Sequence, residues 1–268
     1  MTVLVLLTLL LYAASFAAYV WNLYAKRMPV GITATLTLAG ALVLHYYALL
    51  ERSHAIHAVP YEDLWGSLSL FAWLLAATYL SLEFVHRQRS VGPFVLPIVI
   101  FLFALSHLRH AVAHEAPARG PLFALHVTLN ILAYSAFALA FILSTIFLIQ
   151  NQLLRRHKLG LVFWRFPSLD LLEWMTRSAV IVGLIALCAG VSFGFVWAHR
   201  LRGHYWNGDP KEIVTVLLLV IYAAYLWLGR TPAWRGARAS ALCMLNFLLV
   251  VFSYSIVNVY LSRYHRFY

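Results

Sequence analysis

An all-α membrane protein crossing the bilayer about eight times is predicted from three features of the sequence. The chain is 63% hydrophobic and only 11% charged, with a mean hydropathy of +0.81, proportions that leave a water-soluble core no room as an alternative. Apolar runs close to the roughly 20 residues that cross about 30 Å of hydrocarbon recur from one end of the chain to the other. The two cysteines, Cys188 and Cys243, both lie inside such runs. No disulfide framework, CxxC redox pair or CxxCH haem-attachment site is therefore expected.

Eight spans follow in order. The first, Thr2–Tyr24, lacks a positively charged leader and is long enough to stay as a helix, so a cleaved signal peptide is not expected. Pro29–Leu50 and Leu64–Leu82 come next. Gly92–Leu108 is short and carries Pro93 and Pro97 in its first turns, where proline is tolerated. Pro121–Ile149 is the longest. Ser178–Ala198 is preceded by Phe166–Arg177 (FPSLDLLEWMTR), which reads as an amphipathic helix on the membrane surface with a start signal at Ser168. Ile213–Leu228 and Ala239–Ser262 complete the set. Nothing reads as a soluble domain, so residues 1–268 are expected to form a single transmembrane domain.

The net charge is +11, but the basic residues sit in short loops between spans, where phospholipid headgroups and orientation explain them better than nucleic acid does. One set of alternating loops holds 11 basic residues: Lys26, Arg27, Arg87, Arg89, Arg155, Arg156, Lys158, Arg165, Arg230, Arg235 and Arg238. The other holds 8: Arg52, Arg109, Arg119, Arg200, Arg202, Lys211, Arg263 and Arg266. The richer set is assigned to the cytoplasm. A multi-pass protein of the cell (inner) membrane is expected, with both termini and the loop between spans six and seven on the outer, periplasmic side. Ten of the 12 histidines then lie in or near the outer half, all but His86 and His157.

That loop, residues 194–214 (GFVWAHRLRGHYWNGDPKEIV), is too polar for a simple turn between hydrocarbon spans. Asp209 reads as a helix N-cap, Pro210 as the first helical residue and Glu212 as a first-turn acid. Trp197, Tyr205 and Trp206 fit either the aromatic belt of a membrane interface or the wall of a ligand site. Imidazole is a good axial ligand for haem iron, and three histidines bear on that chemistry. His126 opens span five; it is either packed and satisfied by a carbonyl or a ligand. His265 follows the last span, as a solvated tail residue or a ligand. His45 is embedded in LVLHYYALLER and needs a polar partner, supplied by an interhelical hydrogen bond or by haem. His107, His110 and His114 share one helical face, but Arg109 and Arg119 beside them favour a wet loop over a zinc site.

The residues of this loop resemble the tryptophan-rich WWD signature of the CcsA (ResC) branch of cytochrome c biogenesis proteins. That signature runs W-A-x-x-x-W-G-x-Y-W-x-W-D-P-K-E-x-W. Trp197, Ala198, Gly203, Tyr205, Trp206, Asp209, Pro210, Lys211 and Glu212 stand at matching positions. PSLDLL with Arg177, HVTLNILAYSAFALAF, VFSYSIVNVYLSRYH and the stretch from His45 to Trp73 are similar to further CcsA segments, so the likeness covers nearly the whole chain. It implies non-covalent haem b held at the outer face, with His126 and His265 as axial ligands. It further implies an aromatic wall of Trp197, Tyr205 and Trp206, with Asp209 among the cofactor-binding residues. Arg200, Arg202 or Lys211 would meet the haem propionates, and His45 is a further candidate contact. A CcsB (ResB) partner and an apocytochrome c bearing CxxCH are implied as well, the pair acting as a haem lyase.

The departures from the pattern are specific. Arg202, Gly208 and Val214 replace tryptophans, Trp227 stands where many CcsA proteins carry a histidine in span seven, and Gly66 stands where a glutamate is common. They leave open a paralogue of the HemX or YpjD type, or a non-catalytic scaffold or regulatory subunit. A transmembrane electron-transfer cytochrome b would need histidine pairs on both sides of the bilayer, which the inner half lacks.

Overall fold

The computed structural model describes residues 2–25, 27–56, 59–60, 63–108, 120–157, 160, 163–206 and 208–256. Among them the chain forms eight α-helices and no strand: α1 Val3–Ala25, α2 Met28–Ile56, α3 Leu64–His86, α4 Gly92–Ser106, α5 Gly120–Arg155, α6 Leu169–Arg202, α7 Pro210–Leu228 and α8 Ala237–Phe252. Seven are long and apolar enough to span a membrane, and α4 is the shorter apolar helix. The protein is a multi-pass membrane protein.

Several boundaries differ from the sequence reading: α2 runs to Ile56, α3 to His86 and α5 to Arg155, each past the end expected. The helix expected to lie on the surface at Phe166–Arg177 is instead the beginning of α6, one continuous 34-residue helix. Ser168 does mark the start, its Oγ accepting the Leu171 N–H at 3.3 Å, but neither glycine nor proline follows before Ser178 to break the helix. At its other end α6 runs past Ala198 to Arg202, so Trp197 and Arg200 are helical, and α7 begins at Pro210. The last span is α-helical to Phe252 and continues as a π-turn over residues 253–256. His265, like His57, His110, His114, Arg109 and Arg119, lies outside the described residues.

The described contacts fall into two compact units: residues 1–115 with 150–171, and 116–149 with 172–268. In the first, α1 packs on α2 and α4, and α3 packs on α2 and α4. Leu38, Leu75, Leu96 and Phe103 are fully buried there. Within hydrocarbon a polar group has no water to turn to, so each must find its partner inside the protein. Two knots of side chains do this.

The first knot surrounds Glu83, which is 3% exposed. Its Oε2 accepts from the Tyr19 hydroxyl at 2.5 Å and the Tyr79 hydroxyl at 2.8 Å. Its Oε1 accepts from Thr35 Oγ1 at 2.5 Å and Arg89 Nε at 3.3 Å. An ionised carboxylate offers only acceptors, and here four donors from α1, α2, α3 and the α3–α4 link supply them. Arg89, assigned to a charged loop by the sequence reading, is thus held by a buried partner. Gly92 makes room for the knot, since a Cβ there would sit 2.7 Å from the Tyr19 ring.

The second knot holds His45, which is fully buried. Its Nδ1 lies 3.0 Å from the Tyr12 hydroxyl and its Nε2 lies 3.0 Å from Ser69 Oγ, with Phe103 against its face at 4.2 Å between ring centres. A hydroxyl can donate or accept, so a neutral imidazole is satisfied in either tautomer. Of the two readings open for His45, this is the interhelical hydrogen bond.

The start of α3 explains one departure. Asp63 caps it, accepting the Gly66 N–H at 2.8 Å and pairing with Arg52 at 2.6 Å. A Cβ on residue 66 would stand 1.8 Å from the Pro60 carbonyl oxygen. No larger residue fits without moving that turn.

Replacing Glu83 by alanine leaves the Tyr19 and Tyr79 hydroxyls to find new acceptors, while Thr35 keeps the Gly31 carbonyl and Arg89 keeps Thr35 Oγ1. Each orphaned buried donor costs about 1–3 kcal/mol. Glu83→Ala is therefore expected to lower the thermal unfolding midpoint in detergent markedly, and Glu83→Gln to lower it less; an unchanged midpoint in both would contradict the role given to this knot.

Candidate functional site

Helices α5 and α6 of the second unit are joined by a stripe of glycines. A Cβ on Gly183 would meet the Phe137 ring at 2.5 Å, one on Gly190 the Asn130 side chain at 2.9 Å and backbone nitrogen at 3.1 Å, and one on Gly194 the His126 ring at 2.4 Å. As numbers rise on α6 they fall in step on α5, so the helices run antiparallel. Trp197 and Phe123 extend the same register, with ring centres 5.1 Å apart. Small residues let helix backbones approach in lipid, where no hydrophobic force pulls them together.

This approach positions His126. Its Nδ1 lies 2.7 Å from the carbonyl oxygen of Gly190, an atom that can only accept. In this contact Nδ1 is the donor, and the Asn130 amide nitrogen lies 3.2 Å from the same ring atom. Asn130 Nδ2 donates to the His126 carbonyl at 2.6 Å, which accounts for its position near the ring. Histidines that ligate metals are commonly held this way, their second nitrogen donating to a carbonyl that fixes tautomer and orientation. The sequence reading allowed a carbonyl to satisfy His126 or a ligand to engage it; the structure places the Gly190 carbonyl at Nδ1.

Around the same end of α6 stand the aromatic residues of the 194–214 segment. Trp197 is half-buried against Phe123. His199 and Tyr205 stack face to face, 4.1 Å between centres and 5° between planes. Trp206 is 6.4 Å from Phe195. Tyr205 and Trp206 remain 57% and 46% exposed. The link bends through Gly203 and Gly208, with φ of 80° and 70°, a left-handed region costly for a residue with a side chain. The pattern's tryptophan at position 208 would therefore be strained in this backbone.

Asp209 caps α7 as expected. It is 3% exposed, and its side chain accepts the Lys211 N–H at 3.1 Å. Lys211 Nζ donates to Ser253 Oγ at 3.1 Å and to the Ser253 carbonyl at 3.3 Å, and lies 5.4 Å over the Tyr134 ring. This ties the start of α7 to the π-turn after α8 and places a fixed positive charge there. Arg200 is exposed; Arg202 ends α6, its side chain outside the described part. Trp227, on α7, is 66% exposed.

The structure thus brings His126, Trp197 and the Tyr205–Trp206 link to one end of the second unit. It gives His45 partners of its own in the first unit. Sequence reasoning missed Asn130 and Phe123 as neighbours of the site. The seven-then-four spacing of Gly183, Gly190 and Gly194 was the signal that could have found the α5–α6 contact.

Helices of this number and length define a polytopic membrane protein with a histidine and an aromatic cluster at one helix end. Residues 61–265 match the family described as cytochrome C assembly protein, and the chain belongs to that family. A cytochrome c biogenesis protein CcsA from Porphyra purpurea is 29% identical over 87% of this chain and 84% of its own. The CcsA of Synechococcus sp. (strain CC9902) is 26% identical over 89% and 87%. Among solved structures, a cytochrome c haem lyase CcmF superposes with a TM-score of 0.61 at 18% identity, covering 94% of this chain and 47% of that one, a likeness of fold alone. The protein is therefore a divergent CcsA-type protein with a role in cytochrome c biogenesis.

Because a Cβ at 194 would overlap the imidazole, Gly194→Ala is expected to destabilise the protein by about 1–3 kcal/mol. A midpoint of thermal unfolding equal to that of the wild type would show that α5 and α6 are not in close contact there.

Proposed function

We propose that the protein holds non-covalent haem b at the outer face of the membrane and positions it for attachment to an apocytochrome c carrying CxxCH. His126 Nε2 and His265 bind the iron. Trp197, Tyr205 and Trp206 wall the ring, and buried Asp209 sets the start of α7 beneath them. Arg200, Arg202 and Lys211 are the cations available to the propionates, as charge-assisted donors. When bound, haem supplies vinyl groups that thiols can add to; the chain's own contribution is to hold and orient it, so that rate is gained through proximity. A CcsB (ResB)-like membrane partner would complete the lyase. The observation that supports this reading most is the 2.7 Å contact of His126 Nδ1 with the Gly190 carbonyl. It fixes the ring so that its other nitrogen would be the atom to hold the iron, at the helix end where the aromatic residues stand exposed.

A second reading is favoured by Trp227. In place of a histidine it presents an exposed indole on α7, so a HemX- or YpjD-like protein, or a scaffold that holds haem without passing it through the membrane, suits the span better than a translocator.

Purified protein is expected to show a b-type spectrum in its oxidised and reduced forms, with all haem removable by acid and organic solvent. His126→Ala and His265→Ala are each expected to abolish or shift it. Colourless protein, or spectra unaltered in both variants, would remove the assignment.

A further inference from the structure

At the far end of α7 from the histidine lies a second feature that the haem reading does not use. The turn from α7 to α8 passes through a short 3-10 helix, Pro232–Trp234, and between it and the first turns of α8 is a groove of about 440 Å³ lined by Trp234, Arg238, Ala241, Leu242 and Leu245. Its floor is apolar and its rim is cationic. Arg230, Arg235 and Arg238 are all exposed, and residues 228–242 contain no acid. Neither ion pair found among the described residues involves these arginines. Glu173, a carboxylate at this turn, accepts the N–H of Gly236 at 3.1 Å and so caps the start of α8.

We propose that this groove binds an anionic phospholipid. One acyl chain lies along Ala241, Leu242 and Leu245, where Leu245 is 63% exposed, and the headgroup phosphate meets Arg238. Among the described residues the Arg238 guanidinium donates once, from Nη1 to the Ala233 carbonyl at 3.0 Å. That bond fixes its plane and leaves further N–H groups of its fork for a phosphate. Trp234, 40% exposed at the rim, is the residue type that settles where hydrocarbon meets headgroups. The volume lies within the range of small-molecule sites. A lipid is the occupant that fits: the helices around the groove span a membrane, and the combination of an apolar floor with an arginine rim matches an amphiphile carrying a negative charge. Basic sites at helix ends on the cytoplasmic side are where such headgroups collect, and this turn belongs to the loop set richer in arginine and lysine.

The test uses the full-length protein in a neutral detergent and two acyl-labelled probes, phosphatidylglycerol and phosphatidylcholine. Each arginine near a headgroup is worth about fivefold in affinity, so the wild type is expected to prefer phosphatidylglycerol by about tenfold or more. Arg238→Gln is expected to lose about fivefold of that preference, while Ala241→Phe, which fills the groove without touching charge, weakens both lipids. Arg155→Gln, a charge removed from the end of α5, leaves the preference unchanged. Should one variant fail to elute as a single folded species, the other still decides the matter. Equal binding of the two lipids, or a loss with Arg155→Gln as large as with Arg238→Gln, would reduce the effect to general surface charge and overturn the proposal; insensitivity to Ala241→Phe would do the same for the groove.

Discussion

The contact between the His126 imidazole and the Gly190 carbonyl is possible only because α5 and α6 meet without side chains between them. In lipid, apolar surfaces gain nothing by leaving one solvent for another like it, so helices hold together through close packing and hydrogen bonds. Gly183, Gly190 and Gly194 supply the first and the carbonyl supplies the second. The histidine is then fixed in position and rotamer by one arrangement, and the aromatic residues one turn further on inherit the same register through Trp197 and Phe123.

Much of the fold was legible before any coordinates, because a membrane chain advertises its spans by composition. The eight helices, the cap at Asp209 and the start at Ser168 were all readable from length, hydropathy and capping chemistry. What could not be read was where polar side chains inside the spans find one another. Glu83 is a single acid among apolar neighbours in α3, and its partners Tyr19, Thr35 and Arg89 lie 64, 48 and 6 residues away. No periodicity encodes such a pairing. The extension of α6 at both ends was missed for another reason. Charged and aromatic residues lowered the hydropathy at Glu173 and after Ala198, yet they are good enough helix formers to continue a helix once it exists.

The candidate site was half legible. The aromatic residues and Asp209 drew notice through their unusual composition so close to lipid, and the family pattern then selected His126. Its carbonyl partner, the stacking of His199 on Tyr205, and the engagement of Lys211 with Ser253 are tertiary facts. The departures from the pattern also acquire physical reasons. Gly66 has no space for a side chain beneath Pro60, and Gly208 adopts a backbone that tryptophan avoids. These are adjustments of the local chain, and they leave the histidine and its carbonyl untouched.

Exposure separates the two polar features of the first unit from the helix end proposed as the site. His45 has both nitrogens engaged and no exposed surface, and Glu83 has both oxygens engaged at 3% exposure. Groups so completely satisfied hold helices together. Around α6 and α7 the reverse holds. Tyr205 and Trp206 keep about half their surface exposed beside cations and a histidine held by a carbonyl. Large aromatic side chains left bare next to buried polar anchors are the arrangement a flat amphipathic ligand needs, since it must find apolar walls for its faces and donors for its charged edge in the same place.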